Sequence, residues 1–225
     1  MVIIMIKAII CDAFGTLFKV TSGGSAGRII SNITASGNHI DEKAFVKEWK
    51  EYYKIHTSAD MDFKTERDIF ISRIRMFYNR YNVERNAETD ADLLLADSYE
   101  RDVYEEVPAA LRMLKNKYKI FIGSNTDNYV LDAVMKKNNI TADKIYTSEN
   151  LKCYKPNPEF YLMILRDNNL SPENVIFIGD SIEDDILGPR NVGMKTILID
   201  RARRYSSDVI ADKVLNCIPG ILDIE

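Results

Sequence analysis

The stretch Ile6-Lys-Ala-Ile-Ile-Cys-Asp-Ala-Phe-Gly-Thr-Leu17 decides how the rest of the chain is read. Its β-branched pair Ile9-Ile10 leads into one carboxylate, Asp12, and Gly15 breaks the run just beyond it. An apolar run this short, closed by a glycine, predicts a buried strand of a parallel sheet. Open α/β sheets bind ligands outside the carboxyl ends of their strands, where Asp12 would stand. Taken alone, the same carboxylate also fits a helix cap or an Asx turn.

Three later stretches raise the functional reading: Ile120-Phe-Ile-Gly-Ser-Asn-Thr126, Tyr154-Lys-Pro-Asn-Pro158 and Val175-Ile-Phe-Ile-Gly-Asp-Ser-Ile-Glu-Asp-Asp185. The first and third are apolar strands ending in polar clusters, Ser124-Asn125 in one and Asp180 with Asp184 and Asp185 in the other. Around them strand and helix alternate. A helix is expected from Pro108 to near Tyr118, a strand over 119–123, and a helix capped by Asp127 running to about Asn138. A short strand over 144–147, a helix near 159–167 and a strand over 174–179 follow. A helix after Ser181 is broken by Gly188-Pro189, then come a strand over 194–199 and, from Asp208, a short edge strand and helix. This alternation predicts βαβ units and a parallel sheet that gathers Asp12, Ser124 and Asp180 at one edge.

Between Leu17 and about Arg101 the hydrophobic period is helical instead. Phe18 to Gly27 is rich in glycine and serine and reads as a hinge candidate. Helices are expected at roughly 26–36, 41–57, 63–81 and 87–101. Asp41 is placed to cap the second, with Ala44, Phe45, Trp49, Tyr52 and Tyr53 following at near-helical spacing. Ile69, Ile74, Phe77, Tyr78 and Tyr81 give the third a wide apolar stripe. The block reads as a small antiparallel bundle with its aromatics in the core and its charges on solvated faces. The fold class is therefore α/β: a Rossmann-like parallel-sheet core with an inserted α-helical bundle. The discontinuous core is expected over 1–18 and 104–225, and the helical cap over 19–103. His39 and His56, the two histidines, fall in no motif and read as structural or exposed.

Composition narrows the partners. A chain of 225 residues can bury a sizeable core, and a net charge of −4 gives no basic excess for nucleic acid. Cys11, Cys153 and Cys217 are odd in number and widely spaced, so they imply neither a disulfide framework nor a zinc site. They read as small apolar residues in a reducing compartment. The apolar start Met1–Ile6 is too short to span a membrane and lacks a basic start and a cleavage site. A cytoplasmic protein with no membrane partner is expected, and Met5 is an alternative start. The oligomeric state is not legible.

The four motifs, in this order and across the whole chain, resemble the signature set of the haloacid dehalogenase superfamily. The resemblance implies that the helical insert is a cap, that Asp12 is a nucleophile, and that the backbone carbonyl of Phe14 completes a metal shell. It further implies Ser124 on a transferring phosphate, with Thr16 and Asn125 as neighbouring substrate-binding residues, and Lys155 as the cation joining nucleophile to phosphate. Asp180 carries over as a metal ligand and Asp185 as a direct or indirect one, with Asp184 its alternative. Hard carboxylate oxygens suit Mg2+, the implied cofactor. A small phosphorylated substrate, or a halogenated acid, is the implied partner.

One position departs from the phosphatase pattern. Phosphatases of this superfamily carry a second aspartate two residues after the nucleophile, where this chain has Phe14. General acid–base catalysis is typically worth about 10²–10⁴-fold, and phenylalanine supplies none of it. The haloacid dehalogenases carry an aromatic residue there, since a halide leaves without a proton. Against dehalogenation, that branch works without metal and has serine where this chain keeps Asp180, and its cap arginine has no counterpart over 38–43. Two like charges about 4 Å apart cost roughly 4 kcal/mol at an effective dielectric near 20, so the acidic cluster calls for a cation. The expectation is a Mg-dependent phosphatase that favours good leaving groups. The alternatives are a 2-haloacid dehalogenase and a non-catalytic member that binds a phosphorylated ligand or a protein.

Overall fold

The computed structural model describes residues 5–20, 24–205 and 210–221. Its six strands are β1 (Ala8–Cys11), β2 (Lys119–Ser124), β3 (Lys144–Thr147), β4 (Val175–Gly179), β5 (Lys195–Ile199) and β6 (Lys213–Leu215). They lie in the order β3-β2-β1-β4-β5-β6, with every pairing parallel. The chain winds outward from β1 to β2 and β3, then returns across the sheet to β4. The order therefore reverses beside β1, and the crevice there is where such sheets bind ligands.

The unbroken apolar runs of β1 and β4 follow from burial on both faces. Ile9, Cys11, Ile176 and Ile178 pack with helices α5 (Val107–Lys115) and α6 (Asn128–Lys137) on one side. Ala8, Ile10, Val175 and Phe177 pack with α8 (Pro158–Asp167) on the other. Cys11 is level with Ile122 on one neighbour and Ile178 on the other, so Asp12 emerges between the ends of β2 and β4. The Asp12 amide donates to the Ile178 carbonyl at 2.8 Å, which holds that register one residue past the strand.

Between β1 and β2 the chain builds α1 (Gly24–Ala35), α2 (Glu42–His56), α3 (Glu66–Arg80) and α4 (Ala87–Tyr99) around a separate apolar cluster. Ile29, Ile33, Phe45, Trp49, Ile74, Phe77 and Leu95 form its centre. Asp41 caps α2 as expected, accepting from the Ala44 amide at 3.1 Å. Tyr52 stacks on His56 near the bundle surface, and His39 is exposed, so neither histidine enters the cluster. The three cysteines are free thiols, of which Cys11 alone is fully buried.

Several boundaries differ from the sequence reading. α3 starts at Glu66 rather than near 63, because Thr65 caps it by accepting from the Asp68 amide at 3.1 Å. The preceding residues cross to the core, where Phe63 stacks on Tyr154 and the Tyr154 hydroxyl donates to the Lys64 carbonyl at 2.9 Å. Asp127 stands at the start of α6, and its carbonyl accepts from the Val130 and Leu131 amides, but its side chain makes no cap bond to the helix. Its carboxylate accepts from the Glu66 and Arg67 amides at 2.7 and 2.9 Å, tying the α3 N-terminus to the core. α5 stops at Lys115, short of Tyr118, and a one-turn helix, α7 (Ser148–Leu151), follows β3 directly. After Ser181 comes a π-helical turn, Ile182–Leu187, and then α9 (Gly188–Asn191). The expected break at Gly188-Pro189 does not occur: Gly188 is helical (φ −56°, ψ −56°) and the π-helical turn runs directly into α9, with glycine required because a Cβ there would lie 2.2 Å from the Tyr161 hydroxyl. The tail holds β6 and a 3-10 turn at Ile218–Ile221, while Asp208 and part of the glycine–serine hinge lie outside the described residues. No described helix is long and apolar enough to cross a membrane.

Candidate active site

Asp12 follows β1 and Asp180 follows β4, so the reversal of strand order sets their carboxylates side by side. Asp185 reaches the same point from the π-helical turn. Oxygens of Asp12, Asp180 and Asp185 all lie within 4.8 Å of one another. Two glycines make the approach physically available. A Cβ on Gly15, whose φ is +94°, would sit 2.5 Å from an Asp180 oxygen, and one on Gly179 would sit 2.2 Å from the Asp185 carboxyl. Neither position tolerates a side chain without displacing a carboxylate.

Lys155 enters from the loop before α8 and is 3% exposed. Its Nζ donates to Asp12 Oδ1 at 2.9 Å and to Asp185 Oδ1 at 2.7 Å. The second Asp185 oxygen accepts from the Ser181 amide at 3.0 Å. Asn125 braces the lysine from the loop after β2: its Oδ1 accepts from the Lys155 amide at 2.8 Å, and its Nδ2 donates to the Lys155 carbonyl at 3.0 Å. Both polar ends of the Asn125 side chain, for which a substrate-binding role was expected, are turned on the Lys155 backbone. Ser124 ends β2 and is buried beside this brace. Thr16 is fully buried, its hydroxyl without a partner among the described residues and its carbonyl accepting from Arg201 at 2.8 Å. Phe14 is half-buried, and the bridge it forms with Phe18 runs through the Ala13 carbonyl and the Gly15 amide, leaving its own carbonyl out. Asp184 is not in the three-carboxylate cluster, and its backbone carbonyl accepts from the Tyr161 hydroxyl.

The charges do not balance among the side chains. Burial, and then Asp12, push Asp180 up to about 6 against the pull of Lys155 and of Arg204, which lies 3.8 Å away. Burial likewise takes Asp184 to about 6 and raises Asp185, in spite of Lys155. Burial works against the Lys155 ammonium, but Asp12 and Asp185 outweigh it and hold its pKa above the ordinary lysine value. Three carboxylates around one lysine leave an excess of negative charge, and all the donors are hard oxygens. That set fits a divalent cation such as Mg2+. Carboxyls whose folded pKa is raised stabilise the fold most at low pH and lose that contribution as pH rises through the folded value. Metal-free protein should therefore lose thermal stability between about pH 4 and pH 6, as Asp180 and Asp184 ionise. A divalent cation held by these carboxylates would bind their ionised form, so the Tm increment on adding Mg2+ should grow across the same interval. A Mg2+ increment independent of pH would contradict the assignment.

Sequence periodicity did not single out the groups facing this site from the cap. Glu66 and Arg73 of α3 line a cleft there together with Arg101, which follows α4. The available signal was a charge inside an apolar stripe, since Arg73 falls between Phe70 and Phe77 at helical spacing and is 2% exposed.

A six-stranded parallel core with carboxylates at its switch point, and a helical insert after the first strand, defines a capped Rossmann-like hydrolase. The chain belongs to the haloacid dehalogenase-like hydrolase family, whose model matches residues 6–193. It is 26% identical to the glyceraldehyde 3-phosphate phosphatase of Pyrococcus furiosus over 97% of this chain and 92% of that one. A phospholysine phosphohistidine inorganic pyrophosphate phosphatase of Xenopus laevis is 31% identical over 59% of this chain and 53% of its own length. Among solved structures, YfnB of Bacillus subtilis bound to magnesium superposes with TM-score 0.76 at 15% identity, covering 98% of this chain and 100% of that one. The L-2-haloacid dehalogenase of Xanthobacter autotrophicus gives 0.73 at 18% identity, with 96% and 97% covered. Phosphatases and dehalogenases thus share this fold, and the fold alone does not separate them.

Proposed function

We propose that the protein is a Mg-dependent phosphatase of small phosphorylated metabolites. The observation that carries the reading is the Asp12–Asp180–Asp185 cluster, with Lys155 as its internal cation. Asp12 attacks phosphorus through the carboxylate oxygen not held by Lys155, the bond to the leaving oxygen breaks, and an aspartyl phosphate results. Water then cleaves that acyl phosphate at phosphorus, giving inorganic phosphate and regenerating Asp12. Lys155 orients the nucleophile and draws charge from the phosphoryl oxygens, Ser124 holds those oxygens, and Asn125 fixes the lysine backbone. Bound by Asp12, the Phe14 carbonyl, Asp180 and Asp185 or Asp184, Mg2+ would supply the remaining charge neutralisation. In this reading residues 1–18 and 104–225 act as the hydrolase core and 19–103 as the cap.

Phe14 adds a condition. With no carboxyl at that position to protonate a departing alkoxide, the enzyme should favour acyl and aryl phosphates, whose leaving groups need little protonation. Turnover of p-nitrophenyl and acetyl phosphate should exceed that of sugar phosphates, and Phe14→Asp should narrow the gap by about 10²-fold or more. Equal rates on all these substrates, unmoved by the substitution, would refute the condition.

A second reading rests on the same residue, since an aromatic side chain there suits halide departure. It requires chloride release from 2-chloropropionate that persists in EDTA. The phosphatase reading requires phosphate release that EDTA abolishes.

A further inference from the structure

Between cap and core lies a cleft of about 1020 Å³, lined by Phe14, Trp49, Tyr53, Glu66, Arg73 and Arg101 among others. Phe14 and Asn125 bring its floor to the catalytic edge, so the organic part of a bound phosphate ester would extend into it. Two of its walls are cationic. The Arg73 guanidinium lies 3.6 Å over the Trp49 ring and donates to the Trp49 carbonyl at 2.8 Å, while its Nε has no partner among the described residues. The Arg101 guanidinium lies 4.6 Å over the Phe14 ring, and its Nε is also without a partner among the described residues.

The other arginines of the cap behave differently. Arg28, Arg67, Arg75, Arg80 and Arg85 each pair with a carboxylate, most of them in the open. Among the described residues, Arg73 and Arg101 pair with none, although burial makes an unpaired charge far more costly there than at the surface. Glu66 is the acid nearest to answering them. It accepts a hydrogen bond from Thr126 at 3.3 Å, and its attraction to both guanidiniums stops short of contact. Burial, and then Asp127, push Glu66 up to about 7, so it answers at most one of the two cations near neutral pH. Asp97, also on the cleft, is held by Arg28 at 2.7 Å.

Building on the phosphatase reading, we propose that Arg73 and Arg101 form an anion subsite, and that the substrate is a phosphate monoester carrying a second anionic group on its organic part. A carboxylate or a second phosphate meets that description, since the planar guanidinium fork matches either.

The chain has a single tryptophan, Trp49, and Arg73 stacks on it, so its fluorescence reports occupancy of the subsite without turnover. Three stable probes titrated in Mg2+ test the proposal: propylphosphonate, 3-phosphonopropionate and propane-1,3-bisphosphonate. At least one of the two probes that carry a second anionic group should bind about tenfold or more tightly than propylphosphonate, and the preferred one tells carboxylate from phosphate. In Arg101→Gln that preference should fall toward unity, and Arg101→Lys should restore part of it. Equal dissociation constants for all three in the wild type would overturn the proposal whatever the variants do, as would a preference unaltered in folded Arg101→Gln. Hydrolysis of p-nitrophenyl phosphate by the same preparation separates the two claims. Turnover without probe preference removes the subsite and keeps the phosphatase. Probe preference without turnover removes the phosphatase and keeps the subsite.

Discussion

Asp12→Asn is expected to abolish phosphate release, with kcat/KM falling about 10⁴-fold or more, because an amide oxygen cannot form the covalent intermediate. The fold should survive. Asparagine keeps an oxygen for Lys155, which the aspartate holds at 2.9 Å, and removes one of three crowded negative charges. Thermal unfolding of metal-free protein should therefore give a Tm equal to or above that of the wild type. The distinction that matters is between a nucleophile and a metal ligand only. If Asp12 merely held the cation, the variant would recover activity as Mg2+ is raised, since an amide oxygen still ligates weakly. A flat, near-zero rate across that titration is the expected result.

Lys155→Met should destabilise the core strongly, costing about 3–5 kcal/mol. Lys155 is the cation that both Asp12 and Asp185 contact, and all three are almost wholly buried. Methionine fills most of the volume and leaves two carboxylates facing each other out of water. Burial already raises the Asp185 pKa, and loss of the lysine raises it further, so the loss should be largest at pH 8 and shrink as pH falls toward 5, where protonation removes the repulsion. Urea unfolding at the two pH values measures it. Adding Asp185→Asn to Lys155→Met should return part of the stability, because the two sites share one contact network. A loss below about 1 kcal/mol at pH 8 would mean that the charges are not buried as described.

The core was legible because its strands are buried on both faces and so appear as unbroken apolar runs bounded by glycine. β1, β2 and β4 each end in a polar cluster, and winding from a parallel sheet brings such ends together without further instruction. The cap helices were legible from period, and the start of α2 from its cap Asp41, whereas the start of α3 was placed too early although its cap, Thr65, is equally local. Long-range contacts are invisible to periodicity. Asp127 looks like the cap of the helix that follows it, yet it serves amides sixty residues earlier, at Glu66 and Arg67. That Asn125 braces the Lys155 backbone across the sheet edge is likewise not legible from the sequence. Arg73 looks like a break in an apolar stripe, and only the packing of Trp49, Phe70 and Tyr53 around it reveals a buried cation.

The central claim is a covalent bond between Asp12 and phosphorus. Beryllium fluoride with Mg2+ mimics an aspartyl phosphate, so ¹⁹F NMR of the wild-type protein should show bound fluoride resonances that require Mg2+ and vanish in Asp12→Asn. Bound resonances that persist in that variant, or a wild type that hydrolyses p-nitrophenyl phosphate yet takes up no beryllium fluoride, would contradict the account.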